Sequence, residues 1–91
     1  MPKRYGSEFG SSHSSLDLHG LRIKEAKDAV DSFLLEQVNA GNGLVKVIHG
    51  WGTGKMQREM QKYLQAHRDV KAVRPAPNPN EAAFLVELNL F

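Results

Sequence analysis

The sequence predicts one α/β domain, an α+β two-layer sandwich with element order βαβαββ, in which a four-stranded mixed sheet carries two helices on one face. Three observations lead there. Two apolar stripes at three-to-four spacing alternate with short strand-like runs. With 91 residues, 41% hydrophobic and 24% charged, the chain has the size and balance of one ordinary globular core. The last two strand-like runs are joined only by a Pro-rich connection, which returns the final strand antiparallel to its neighbours.

Residues 1–14 are rich in Gly and Ser and have neither periodicity, so they read as a flexible tail preceding a domain over 15–91. Gly6-Ser7-Glu8-Phe9 is what two adjacent cloning sites encode, and a natural linker would suit the same composition. The alternating run Leu16-Asp17-Leu18-His19, closed by Gly20, predicts the first strand. Its leucines share one face and Asp17 and His19 the other, about 7 Å apart by strand rise. Ala26, Val30, Phe33, Leu34, Gln37 and Val38 mark an amphipathic helix over 24–39, with Gly41 as its stop. Leu44–Ile48 is a β-branched run between glycines, the second strand. Met56, Met60, Tyr63 and Leu64 form the core stripe of a second helix over about 53–67.

Val70–Arg74 predicts the third strand, ended by Pro75, Pro77 and Pro79, since proline donates nothing to a ladder. Residues 82–88 are the most continuously apolar strand, which places them inside the sheet. Right-handed crossovers then set both helices on one face.

The absence of cysteine excludes disulfides and thiolate metal sites and points to the cytoplasm. No apolar stretch approaches the roughly 20 residues that span a bilayer, so no membrane association is expected. A formal net charge of +2 permits a polyanionic partner without demanding one.

Two motifs carry chemistry. Asp17-Leu18-His19-Gly20 lies at the carboxyl end of the first strand, and His49-Gly50-Trp51-Gly52-Thr53-Gly54-Lys55 at that of the second. If these strands are parallel neighbours, both motifs share the sheet edge at which α/β folds bind ligands. Alternate glycines let the backbone approach a ligand, and helix-start N–H groups with Lys55 suit phosphate oxygens. Nucleotide-binding motifs fail in detail. A P-loop needs four residues between its glycines and Ser or Thr after Lys, whereas Met56 follows Lys55, and the dinucleotide glycine spacing is one residue short.

The paired motifs, Leu16-Asp17-Leu18-His19-Gly20 and His49-Gly50-Trp51-Gly52-Thr53-Gly54, resemble the signature of the small MutS-related (Smr) domain over about residues 15–88, and the βαβαββ order is similar to that family's fold. The likeness extends to the C-terminal domain of MutS-like proteins acting outside mismatch repair and to stand-alone Smr proteins. It implies binding of branched or structured DNA or of RNA, with nicking or endonuclease activity. Asp17 and His19 match the D-x-H-G positions, and His49, Gly50, Gly52 and Gly54 match the glycine-rich loop. Trp51 falls at a variable position, some members carry Arg in place of His19, and Arg74 resembles a basic residue near this edge.

Phosphodiester hydrolysis needs a base, an acid and a cation at the phosphoryl oxygens. The expected catalytic residues are His49 first, then His19, with Asp17 orienting a histidine or holding Mg²⁺. Gly50, Trp51, Gly52, Thr53, Gly54, Lys55 and Arg74 are the expected nucleic-acid contacts, with Trp51 able to stack on an unpaired base or to pack into the core. Asp17 has an equally weighted structural role, accepting loop N–H groups. His67 is explained by its place near a helix C-terminus and His13 lies in the tail. The alternative to a nuclease is a non-catalytic module, monomeric in isolation, that recruits a larger protein to DNA junctions or ribosomes.

Overall fold

The computed structural model describes residues 5–7, 14–78 and 80–90. Its elements are β1 (Tyr5–Ser7), β2 (Ser14–Asp17), α1 (Ile23–Asn39), β3 (Leu44–Ile48), α2 (Lys55–Ala66), β4 (Val70–Pro75) and β5 (Ala83–Leu88). The sheet order is β1-β2-β3-β5-β4, with β2 and β3 parallel and β5 antiparallel to both of its neighbours. From β2 onward this is the expected βαβαββ arrangement, with the last strand interior.

Two differences from the sequence reading concern the N-terminal side. Tyr5–Ser7, assigned to the tail, is a fifth strand pairing antiparallel with Ser14–Leu16 at the sheet edge. His13 and the rest of that segment up to it, like Pro79, lie outside the described residues. The first core strand also ends at Asp17 rather than at His19. The physical reason is local: the Asp17 carboxylate takes the His19 backbone N–H at 2.8 Å, which turns the chain out of the ladder.

Helix α1 forms where the stripe predicts, and all six stripe residues are buried. Glu25 accepts the Arg22 N–H at its start, half of a capping box. At its end, Gly41 donates to Val38 and Asn42 to Gln37, the two bonds of a Schellman stop, with Gly41 at φ +79°. The Asn42 side chain also satisfies the buried Gln37 amide at 2.7 Å. Helix α2 buries Met60 and Leu64, with Met56 and Tyr63 packed at the margin. One cluster, centred on Phe33, Leu16, Leu18, Val45, Val47 and Val86, joins both helices to one face of the sheet. Burying each such side chain contributes about 1.5–3 kcal/mol, so these residues hold the fold.

Candidate functional site

The register places Asp17 beside Ile48, so β2 and β3 end together and their loops leave from one edge. Leu18 N–H donates to the Ile48 carbonyl at 2.8 Å, and Leu21 N–H to the Leu18 carbonyl at 3.1 Å. The second bond closes a four-residue turn with His19 and Gly20 at its corners. Gly20, at φ +82°, occupies the position where a type II turn requires a left-handed residue, and His19 is left exposed at the other corner. The sequence Asp-x-His-Gly is therefore a turn program: the acid starts it, the glycine completes it, and the imidazole is presented.

The second loop is anchored differently. His49 and Gly50 N–H groups both donate to the Ala82 carbonyl, at 2.8 and 3.1 Å. The His49 side chain is only 7% exposed and packs on Phe84, with ring centroids 4.9 Å apart. Its Nδ1 lies 2.9 Å from the Gly50 carbonyl oxygen. A carbonyl only accepts, so Nδ1 carries the proton and, in the neutral ring, Nε2 keeps a free lone pair.

The two loops meet. A Cβ placed on Gly50 would lie 3.9 Å from His19 Cδ2, and residues 18–21 and 49–56 line one open cavity of about 210 Å³. His19, His49, Gly50, Trp51, Gly52, Thr53, Gly54 and Lys55 are thus gathered as expected. Asp17 and Arg74 are not. Asp17 stands behind the turn it holds, and Arg74, on β4 beyond β5, pairs with Glu87 at 3.4 Å.

The start of α2 is electrostatically unusual. Its N-cap, Gly54, sits at φ +89° and offers no capping side chain, and the first turn holds no acid. Lys55 instead stands there, its N–H making a long 3.4 Å bond to Thr53 Oγ1. Positive side chains at a helix N-terminus oppose the macrodipole, a conflict that a bound anion relieves. Arg58, not singled out from the sequence, belongs to this end: its Nη1 is 3.1 Å from where a Gly54 Cβ would be. The legible signal was its spacing, one turn beyond Gly54.

A larger concavity, about 510 Å³, lies between the helices at the far end of α2 and is lined by Asp31, Tyr63, His67 and Asp69 among others. Its polar groups bond one another. Tyr63 donates to Asp31 at 2.6 Å, His67 Nε2 is 3.1 Å from the same oxygen, and Asp69 N–H donates to His67 Nδ1 at 3.1 Å. Because the edge cavity leaves the His19 and Lys55 side chains without hydrogen-bond partners among the described residues, it is the better candidate site.

Among the described residues, no group of three or more His, Cys, Asp or Glu side chains is placed to hold a metal ion. Asp17, the one carboxylate expected to do so, has an oxygen committed to His19 N–H. No described helix is long and apolar enough to cross a membrane.

Comparison with known proteins agrees with this fold. The Smr domain family model matches residues 16–89. Endonuclease MutS2 of Listeria welshimeri is 44% identical over 61 residues, covering 67% of this chain and 8% of that protein. The Staphylococcus epidermidis MutS2 is 38% identical over 71 residues, covering 78% and 9%. The chain thus spans only a small part of the curated relatives it matches. Among solved structures, the Smr domain of Thermus thermophilus MutS2 superposes with a TM-score of 0.77 at 31% identity, covering 82% of this chain and 96% of that one. YdaL, a stand-alone small MutS-related protein from Escherichia coli, has the same fold, with a TM-score of 0.72, 24% identity, and coverage of 97% and 81%. From the paired loops on one sheet edge to the family match over nearly the whole folded region, the chain belongs to the Smr domain family.

Proposed function

We propose that this domain binds nucleic acid and cleaves its phosphodiester backbone at the edge cavity. The observation that carries the reading is the convergence of His19, His49 and Lys55 with glycine backbone on one open cavity at an uncapped helix start. MutS2 relatives are named endonucleases, which accords with it.

In the reaction, a phosphate seats against the α2 N-terminus and Lys55, where partial and full positive charges meet its oxygens. His49 Nε2 takes a proton from a water whose oxygen attacks phosphorus. The bond from phosphorus to the leaving oxygen breaks, and protonated His19 supplies that oxygen with a proton. The products are one phosphate monoester end and one hydroxyl end. Asp17 acts through the turn, holding His19 at its corner. Branched DNA and RNA both fit as substrates, because backbone recognition is alike in the two.

Purified domain should be incubated with branched DNA, single-stranded RNA and plasmid, with and without Mg²⁺. Product from wild type, reduced about 10²- to 10⁴-fold in His49→Ala, is the expected result. Identical background cleavage by both proteins removes the enzymatic reading. One observation favours the second reading, a binding module that recruits a larger protein to DNA junctions or ribosome-bound RNA: the nearly buried His49 ring is packed on Phe84 and bonded to its own loop, as a structural residue would be. That module would bind in a salt-sensitive way, more weakly with Lys55→Ala, and form no product.

A further inference from the structure

We infer that Trp51 is a stacking platform that makes the edge site select an unpaired nucleotide over one held in a continuous duplex. The inference rests on the proposed nucleic-acid binding at this site and adds to it the strandedness of the target.

Trp51 is 71% exposed, the most exposed large apolar side chain among the described residues, ahead of Leu35 at 54% and Leu90 at 45%. Phe33 and Phe84 are buried, and Tyr63 packs against the core. An indole normally buries its large apolar surface and finds a partner for its N–H. Trp51 has no ring contact, cation–π contact or side-chain hydrogen bond with any described residue. Packing among the described residues therefore does not account for it, and core placement, the other expectation for this residue, is overturned.

Its surroundings give a second, independent observation. A side chain at Gly52 would meet nothing within 4 Å, and the backbone there is not in the left-handed region. Neither strain nor crowding inside the domain calls for glycine at that position. What its missing Cβ leaves clear is the approach to the loop backbone beside Trp51, over the cavity that His19, His49 and Lys55 line. That cavity, at about 210 Å³, is smaller than the roughly 300–1,000 Å³ that engulfs a free small molecule. It holds a fragment of a larger ligand, with the remainder lying across the rim where Trp51 stands. A ligand that places a phosphate at Lys55 and offers a flat π-face to an indole on that rim is a nucleotide with its base unstacked. In a continuous duplex every base face is covered by its neighbours, so no such face is available.

The chain contains a single tryptophan, so fluorescence excited selectively at the long-wavelength edge of the indole band, where its two tyrosines do not absorb, reports on Trp51 alone. The full chain should be titrated with three probes of matched sequence: a single strand, a blunt duplex, and a duplex carrying one unpaired bulged nucleotide. DNA and RNA versions of each are used, and anisotropy of a labelled strand measures affinity independently. Single-stranded and bulged probes should quench the tryptophan, and the blunt duplex should not. Trp51→Ala should weaken binding of those two probes about 5- to 150-fold and leave the duplex unchanged, with Trp51→Phe restoring part of the loss. Equal losses for all three probes, or binding by anisotropy without quenching, would overturn the stacking role while leaving nucleic-acid binding intact. No binding of any probe by wild type would instead overturn the underlying functional reading, and this inference with it.

Discussion

The two ends of helix α2, about 18 Å apart by helical rise, each have histidine beside them, and the two ends are built on opposite principles. At the C-terminal end, His67 has both ring nitrogens engaged, Nδ1 by the Asp69 N–H and Nε2 by Asp31, which also accepts from Tyr63. Tyr63 and His67 meet edge to face, and Lys27 lies 5.4 Å from the Tyr63 ring centre. Every group has a partner, so this end ties α1 to α2 and to the start of β4. At the N-terminal end, His49 has one nitrogen tied to Gly50 and the other without a hydrogen-bond partner among the described residues, while His19 stands exposed on a turn. The helix start beside them is uncapped and basic. A satisfied polar cluster stabilises, whereas one left unsatisfied at an open rim is available to a ligand.

Exchanging the two histidines in an experiment breaks this comparison most sharply. His49→Gln should lower cleavage by about 10²- to 10⁴-fold, measured in single turnover, and His67→Gln should leave the rate per folded molecule unchanged. A comparable loss in both would mean that the two ends are not functionally distinct. Asp31→Ala, which strips partners from Tyr63 and His67, should cost about 1–2 kcal/mol in urea unfolding while sparing cleavage. Gly54→Ala should cost about 1–2 kcal/mol as well, since it forces a side chain into the left-handed region and displaces Arg58. Unlike the Asp31 variant, it should also weaken nucleic-acid binding.

Smaller effects sharpen the contrast. Lys55→Ala should reduce the slope of log affinity against log salt by about 0.7–0.9, the share of one phosphate contact, whereas Arg74→Ala, whose guanidinium is paired with Glu87, should move it less. The Tyr63 hydroxyl is pushed up from its ordinary 10.0 to about 12, chiefly by its hydrogen bond to Asp31, with burial and nearby carboxylate charge adding. A raised phenol stabilises the fold in full below pH 10 and loses that contribution as pH rises toward 12. Tyr63→Phe should therefore flatten the decline of stability that wild type shows across that window, read by thermal unfolding.

The rim was largely legible in the sequence because its information is local. Turn chemistry at Asp17 and Gly20, glycine spacing from Gly50 to Gly54, and strand periodicity act within a few residues of each other. The cluster at the other end was not legible. His67 reads as a residue near a helix terminus, and Asp31, its partner, lies 36 positions earlier on the exposed side of another helix. The same limit explains Arg74, which the family resemblance assigned to the site but whose partner, Glu87, is fixed by the β4–β5 pairing. Tyr5–Ser7 pairs with β2 as a strand ladder, which composition does not report.

By itself the sequence determined the element order, the buried stripe of each helix, the interior place of the last strand and the presence of two chemically loaded loops. All of these follow from periodicity and from backbone preferences of Gly, Pro and Asp, which are short-range. Only the tertiary structure decided that His19 and His49 line one cavity, that Asp17 and Arg74 do not, and that Trp51 faces solvent. Those outcomes depend on strand register and on which groups find partners across the fold, and such pairings are set by packing between residues distant in the chain.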